Sequence, residues 1–303
     1  MASESMEPLR PLRVRMAAAA RADQKPQFIL EKDYALSYLL AGIVAVPQLA
    51  DSLVFKGGTC LRKAYFPGYR FSEDLDFTSR SPWRCEELLD ALVQAADHMK
   101  KRLLTFGPFE VMVAEERHRE PHPRGQCVFR VRVQFPWMRA PECSLKVEVS
   151  AQEPLLAGSV ERRLIHEFEG EPLDVALNVY RLEEIAAEKL RAFLQSRQHL
   201  QDRGWLRNRP RDLYDLWYLR EKSALPVNWE DVRRLLPGKA EAYGLAYNGP
   251  EDFLDERVMQ GIQRDWQAQL SSFVADLPPF ERCATTLRGL LEEVFRGTEP
   301  GSG

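Results

Sequence analysis

The sequence predicts an α+β fold in which a mixed-sheet N-terminal domain is followed by an all-helical C-terminal domain. Three observations lead there. Between residues 109 and 150, three segments alternate apolar and polar residues with the period of two that a half-buried strand requires. After residue 180 that alternation gives way to five successive segments with helical patterning. Earlier in the chain, the apolar triplet Leu53, Val54 and Phe55 runs almost directly into Gly57-Gly58-Thr59, which opens a helix.

In chain order, residues 1–25 read as a flexible arm, polar, rich in Ala and Arg, and aperiodic. Residues 28–46 read as a helix whose apolar stripe includes Ile29, Tyr34, Leu36, Leu39 and Leu40, with Pro47 after its end. A short strand covers 53–55, a short helix lies around 61–65, and Pro67-Gly68 marks a turn. Residues 71–78 form a strand and 83–104 a long helix, followed by strands at 109–113, 127–135 and 144–150. The charged stretch 115–124 reads as an exposed hairpin loop, and 172–179 as a further short strand. Helices then cover 181–195, 211–220, 229–236, 252–273 and 279–295. The expected domains are 26–179 and 180–297, with a loose tail at 298–303.

The composition is that of a globular chain, with 45% hydrophobic and 29% charged residues among 303. No apolar run approaches the roughly 20 residues of a membrane span. Residues 1–21 lack the apolar core of a secretory signal. Five scattered cysteines, none in CxxC spacing, suggest reduced thiols in a cytoplasmic protein and no zinc site. A net charge of −3 argues against a protein coated for nucleic acid, yet leaves room for a local basic groove.

The chemistry centres on two acids. Residues two apart on a strand share a face, so Ser72, Asp74 and Asp76 project together while Leu75 and Phe77 face the core. Two carboxylates about 4 Å apart repel by on the order of 4 kcal/mol at an effective dielectric near 20. A divalent cation offsets that cost, and oxygen-only ligands suit Mg2+ (or Mn2+). A third acid, Glu148, alternates with Val147 and Val149 on a second strand and is positioned to join them. Three carboxylates can hold two metals, one to activate an incoming hydroxyl and one to carry a triphosphate. Gly57-Gly58-Thr59 at a strand-to-helix junction offers backbone N–H groups, and the Thr59 hydroxyl, to phosphate. Alone, the glycines are equally a tight turn and the acids a solvated strand face. Their joint occurrence in this order is what carries the functional reading.

The pattern Gly-Gly-Thr followed by Arg70-Phe-Ser-Glu-Asp-Leu-Asp-Phe77 resembles the minimal nucleotidyltransferases of the DNA polymerase β superfamily. More narrowly, it is similar to the AbiEii-type toxins of type IV toxin–antitoxin systems. The resemblance spans about residues 28–219 and includes Glu31-Lys32-Asp33-Tyr34, Lys146-x-Glu148, Glu188-Lys189-Leu190-Arg191-Ala192 and Arg211-Asp212-Leu213-Tyr214-Asp215-Leu216. It departs from many relatives in having Glu148 where they carry Asp.

The resemblance implies a polymerase β-like fold for the N-terminal domain, NTP as substrate, a cognate antitoxin and an RNA acceptor, most directly the 3′ end of tRNA. It also implies that Lys189 and Asp212 join the site. On this reading Asp74, Asp76 and Glu148 are catalytic and hold metal, Lys189 and Asp212 are catalytic as well, and Gly57, Gly58, Thr59, Ser72 and Lys189 contact the nucleotide. Asp212 is equally suited to the first turn of a helix after Pro210. Two surfaces suit nucleic acid: the segment with Arg197, Arg203, Trp205, Arg207, Arg209 and Arg211, and the strand face with Arg130 and Arg132. Rival readings are a protein or small-molecule acceptor, or a non-catalytic binding module of the same fold. Negative charge at Ser72 should disrupt the acid pair beside it, so Ser72→Glu is expected to abolish transfer activity. Full activity of that variant in a labelled-NTP assay would remove Ser72 from the site.

Overall fold

The computed structural model describes residues 9–116, 126–168, 170–206 and 208–296. Helices α1 (Leu12–Ala22), α2 (Gln27–Val44) and α3 (Pro47–Ser52) lead into strand β1 (Leu53–Lys56). Helix α4 (Gly57–Cys60) continues as a π-helical turn through Leu61–Tyr65, and β2 (Asp74–Ser79) and α5 (Cys85–Leu103) follow. Strands β3 (Glu110–Glu115), β4 (Gln126–Gln134), β5 (Cys143–Ser150), β6 (Ser159–Arg163) and β7 (Ala176–Tyr180) complete the sheet. Beyond it come α6 (Leu182–Arg203), α7 (Pro210–Glu221), α8 (Trp229–Glu241), α9 (Glu256–Leu270) and α10 (Phe280–Val294).

The seven strands lie in the order β3-β4-β5-β2-β1-β7-β6. Strand β2 runs parallel to β5, and β1 parallel to β7, while the remaining pairs are antiparallel. The sheet is therefore mixed, as the sequence predicts. Its apolar face carries Leu75 and Phe77 of β2, Leu145, Val147 and Val149 of β5, and Phe129, Val131 and Val133 of β4, all buried. Helices α2 and α5 pack together on that side of the molecule. Helices α6 to α10 pack mainly on one another, and α7 also reaches α4.

Three expectations need correction. Residues 12–22 of the supposed flexible arm form α1, because Leu12, Met16 and Ala20 recur at helical spacing and are buried. Arg15 of the same helix ion-pairs with the buried Glu171. The Arg and Ala content conceals this sparse stripe. Strand β6, with the sequence Ser-Val-Glu-Arg-Arg, escapes sequence reading because it is a charged edge strand with little alternation to detect. Third, Cys85 and Cys127 are not free thiols. They form a disulfide joining the start of α5 to β4, with Cα atoms 5.5 Å apart. Packing brings together residues 42 apart in sequence, where no motif spacing exists. The scattered cysteines therefore give no argument for a reducing compartment. Cys60, Cys143 and Cys283 remain free and buried. Most of the expected 115–124 loop lies outside the described residues, as do residues 1–8 and 297–303.

The close packing of α2 on α5 rests on Gly42. A Cβ there would meet the Ala95 carbonyl, lying 3.1 Å from its carbon and nearer still to its oxygen. Alanine would gain about 1 kcal/mol in helix propensity. Overpacking costs about 1–3 kcal/mol, and a backbone carbonyl inside a helix cannot swing aside. Gly42→Ala is expected to lower the unfolding free energy in denaturant titrations, and Gly42→Val to lower it further. An unchanged midpoint for Gly42→Val would contradict this packing.

Candidate active site

The site grows out of strand register. In the parallel β2–β5 pair, Asp74 lies opposite Lys146 and Asp76 opposite Glu148. In the antiparallel β1–β2 pair, Lys56 lies opposite Asp76. Acids and lysines thus interleave on one sheet face. Lys146 ion-pairs with Glu148 at 2.5 Å. Burial, then the Glu148 charge, push the Asp76 carboxyl up to about 8, with Lys56 opposing and Asp74 adding to the rise. Asp76 therefore holds a proton near neutral pH and donates it in a hydrogen bond to Glu148. Burial also raises Asp74, against the pull of Lys146.

The glycine turn is fitted around these acids. Gly57 sits at φ +79°, a left-handed conformation that favours glycine. A Cβ there would also lie 2.7 Å from Asp76 Oδ2. A Cβ at Gly58 would strike the Arg70 guanidinium, 3.3 Å from its Cζ. Thr59 differs from expectation. It is buried, and its hydroxyl donates to the Asp74 carbonyl oxygen at 2.5 Å. That proton is not available to a phosphate. Thr59 instead ties the start of α4 to the backbone of the acid strand.

Lys189 and Asp212 do come together. Lys189 Nζ contacts Asp212 Oδ1 at 2.6 Å and Asp215 Oδ2 at 2.8 Å. Asp215 also accepts hydrogen bonds from Tyr69 Oη at 2.6 Å, Arg70 Nε at 2.5 Å and Arg70 Nη2 at 2.7 Å. Burial alone would raise the Asp215 carboxyl, but Arg70 and Lys189 outweigh it and hold it well below the ordinary range. Burial likewise opposes the charge on Lys189, and Asp212 and Asp215 overcome it. In the sequence, Asp215 stands out only as a member of the Arg211–Leu216 motif. Arg70 likewise stands out only as part of a motif. Their pairing spans 145 residues and carries no local signal.

These groups line a cleft of about 280 Å³ that includes Gly58, Ser72, Asp74, Asp76, Lys189 and Asp212. Ser72 precedes β2 and is half-buried at the cleft wall. Among the described residues, no three His, Cys, Asp or Glu side chains form a metal-binding group. Asp74, Asp76 and Glu148 nonetheless share one sheet face on adjacent strands, with Glu148 also ion-paired to Lys146. The donor set still fits magnesium, which typically uses one or two carboxylates together with substrate phosphates. Burial, and then repulsion from Glu148, raise the Asp76 carboxyl, a cost that a cation bound there would offset.

The basic segment is largely engaged elsewhere. Arg197 ion-pairs with Asp252, and Arg211 with Glu73 at 3.4 Å. Arg209 approaches Asp212 at 3.6 Å, and both Arg209 and Arg211 line the cleft. Trp205 is exposed and packs beside His199. Arg207 lies outside the described residues. Lys56 is an addition that sequence reading missed. It is buried, ion-paired with Glu153 and, at 3.5 Å, with Glu188.

A family model described as nucleotidyl transferase AbiEii toxin, type IV toxin–antitoxin system, matches residues 38–287. Among solved structures, the chain is similar to MenT4, a nucleotidyltransferase toxin from Mycobacterium tuberculosis H37Rv. The identity is 23% and the TM-score 0.65, covering 93% of this chain and 89% of that one, which supports a shared fold. No curated protein sequence matches. No helix among the described residues is long and apolar enough to cross a membrane.

The Asp76 carboxyl lies near 8 in the folded chain against an ordinary 3.8, so the folded state binds the extra proton. Its contribution to stability is full below about pH 4 and is lost as pH rises through about 8. Asp76→Asn should remove that component, so that its melting temperature falls less than the wild type's between pH 4 and 8. Magnesium added at pH 8 should raise the wild-type melting temperature and leave that of Asp76→Asn nearly unmoved. Parallel pH profiles for the two proteins would contradict the assignment.

Proposed function

This chain belongs to the AbiEii nucleotidyltransferase toxin family, and from that premise we propose that its cleft transfers a nucleoside monophosphate from an NTP to the terminal hydroxyl of an RNA, releasing pyrophosphate. The acceptor we favour is the 3′ end of tRNA, whose modification in the cytoplasm would stop translation and growth until an antitoxin intervenes. The observation that carries the proposal is the placement of Asp74 and Asp76 beside the Gly57-Gly58 turn, with Lys189 on the same cleft.

In this mechanism Asp74 and Asp76 would hold a divalent cation, which when bound supplies Lewis-acid stabilisation of the triphosphate and lowers the pKa of the attacking hydroxyl. Backbone N–H groups of the Gly57-Gly58 turn face phosphate oxygens, and the absent side chains let them approach closely. Arg70 supports Gly58 from behind, held by Asp215. Lys189 places a fixed positive charge against the triphosphate, and Asp212 and Asp215 hold its ammonium in place. Asp76 must lose its proton before a cation binds, and that proton leaves to solvent, so that Glu148 keeps its carboxylate. Glu148 then stands beside the acceptor hydroxyl as a base. The surrounding protein, with Leu75 and Phe77 beneath the acids, excludes water from below.

Asp76→Asn should reduce incorporation of labelled NTP by at least about a hundredfold, without loss of fold by circular dichroism. Offering the wild type separate tRNA, protein and small-molecule pools identifies the acceptor by which one becomes labelled. Undiminished incorporation by Asp76→Asn would sink the mechanism. Labelling confined to protein or small molecules would sink the RNA reading alone.

A further inference from the structure

The polar sheet face extends past the acids. Reading laterally, Asp74 of β2 lies opposite Lys146 of β5, Lys146 opposite Arg130 of β4, and Arg130 opposite Ala114 of β3. One register step away, Ser144, Arg132 and Met112 form a second such row. The alternate residues of these strands, Val131, Val133, Leu145 and Val147, are buried in the core, so the basic side chains sit on the acid-bearing face. A groove of about 680 Å³ runs along this face, lined by Met112, Ala114, Arg130, Arg132 and Ser144, with Glu115 and Glu116 at its edge. Only the Lys146 strand separates its floor from the cleft that holds Asp74.

We propose that this groove is the track along which the phosphodiester backbone of a single-stranded RNA end reaches the acids, with Arg132 and Arg130 as its phosphate contacts. The inference rests on the RNA-acceptor reading above. Three arguments choose the occupant. An in-line displacement puts the attacking and leaving oxygens on opposite sides of the phosphorus. The glycine turn follows β1, on one flank of β2, so the hydroxyl must arrive from the other flank, where β5 and β4 lie. The charges also differ in availability. Arg130 ion-pairs with Glu116 at 2.7 Å, whereas Arg132 is exposed and has no ion-pair partner among the described residues. Strands lie about 4.8 Å apart, which puts Arg130 roughly 10 Å from Asp74. A backbone phosphate at Arg130 would thus lie within a short run of nucleotides of the reacting end. Met112, half exposed at 52% on the groove, supplies an apolar surface for an unpaired base. Arg197 and Arg211 of the α6–α7 segment are, like Arg130, ion-paired within the chain, so the availability of charge singles out Arg132.

The test uses the full chain and a fluorescein-labelled single-stranded oligoribonucleotide with a free 3′-hydroxyl. Its binding is followed by anisotropy across a salt series. Arg132→Glu should weaken binding on the order of tenfold and flatten the salt dependence by about one counterion. Arg132→Lys should bind between the wild type and Arg132→Glu, since it keeps the charge but loses the planar fork. The melting-temperature shift produced by NTP should be the same in all three proteins, which separates a lost acceptor track from a damaged nucleotide site. Arg203→Glu serves as the control on the α6–α7 surface and should bind as the wild type does. Equal binding by Arg132→Glu and the wild type overturns the proposal, as does weakening by Arg203→Glu in its place. A wild type that neither binds nor labels any RNA instead overturns the RNA-acceptor reading on which the track depends.

Discussion

Asp215 is the interaction on which the rest of the site depends. Fully buried, it accepts hydrogen bonds from Tyr69 and Arg70 and ion-pairs with Lys189. These partners come from the segment before β2 and from α6, while Asp215 itself lies on α7. One carboxylate therefore joins the sheet's acid strand to two helices of the C-terminal half. A buried ion with good partners is close to neutral in net stability, but removing one partner typically costs about 3–5 kcal/mol. Every member of the cluster is thereby locked to the others. Arg70, held this way, presses against Gly58 and leaves no room for a side chain there. The position of the phosphate-facing turn is thus set by an acid that never touches the cleft.

A second layer of charge surrounds the acids. Lys56 stands opposite Asp76 but gives its ammonium to Glu153 and Glu188. Lys239, fully buried on α8, meets Glu188 at 3.0 Å and Glu184 at 2.7 Å. The Tyr180 ring lies against both lysines, and its hydroxyl meets Thr78 of the acid strand. This chain of alternating charges carries β1, β2 and β7 onto α6 and α8. Burial, then the Glu148 charge, raise the Asp76 carboxyl, and Lys56, shared with Glu153 and Glu188, offsets them only in part.

What the sequence reveals follows the range of each interaction. The strands β2, β4 and β5 are legible because alternation is a local property, and the shared face of Asp74 and Asp76 follows from it directly. The glycine turn is legible because Gly57 requires a positive φ at a fixed place. The partnership of Lys189 with Asp212 could be anticipated only from the family resemblance, since residues on α6 and α7 meet through packing. Asp215 with Arg70, Cys85 with Cys127, and the buried Lys56 lie beyond any local pattern. Thr59 illustrates a different limit. Its hydroxyl has two possible partners, and only three-dimensional structure shows the Asp74 carbonyl to be the one it meets. Helix α1 escapes the sequence because only Leu12, Met16 and Ala20 mark its buried stripe in an Arg- and Ala-rich stretch.

The crowding at Gly57 and Gly58 has a consequence for heredity. Any missense change at either codon adds at least a Cβ, and at Gly57 that carbon meets Asp76 while at Gly58 it meets Arg70. The torsion at Gly57 adds a second obstacle that no choice of side chain avoids. Cells burdened with a harmful copy of this gene thus have a wide set of one-letter edits expected to disarm it by crowding the same turn. A lineage that retains both glycines over many generations is one in which the protein's action, or its restraint by a partner, has continued to be worth keeping.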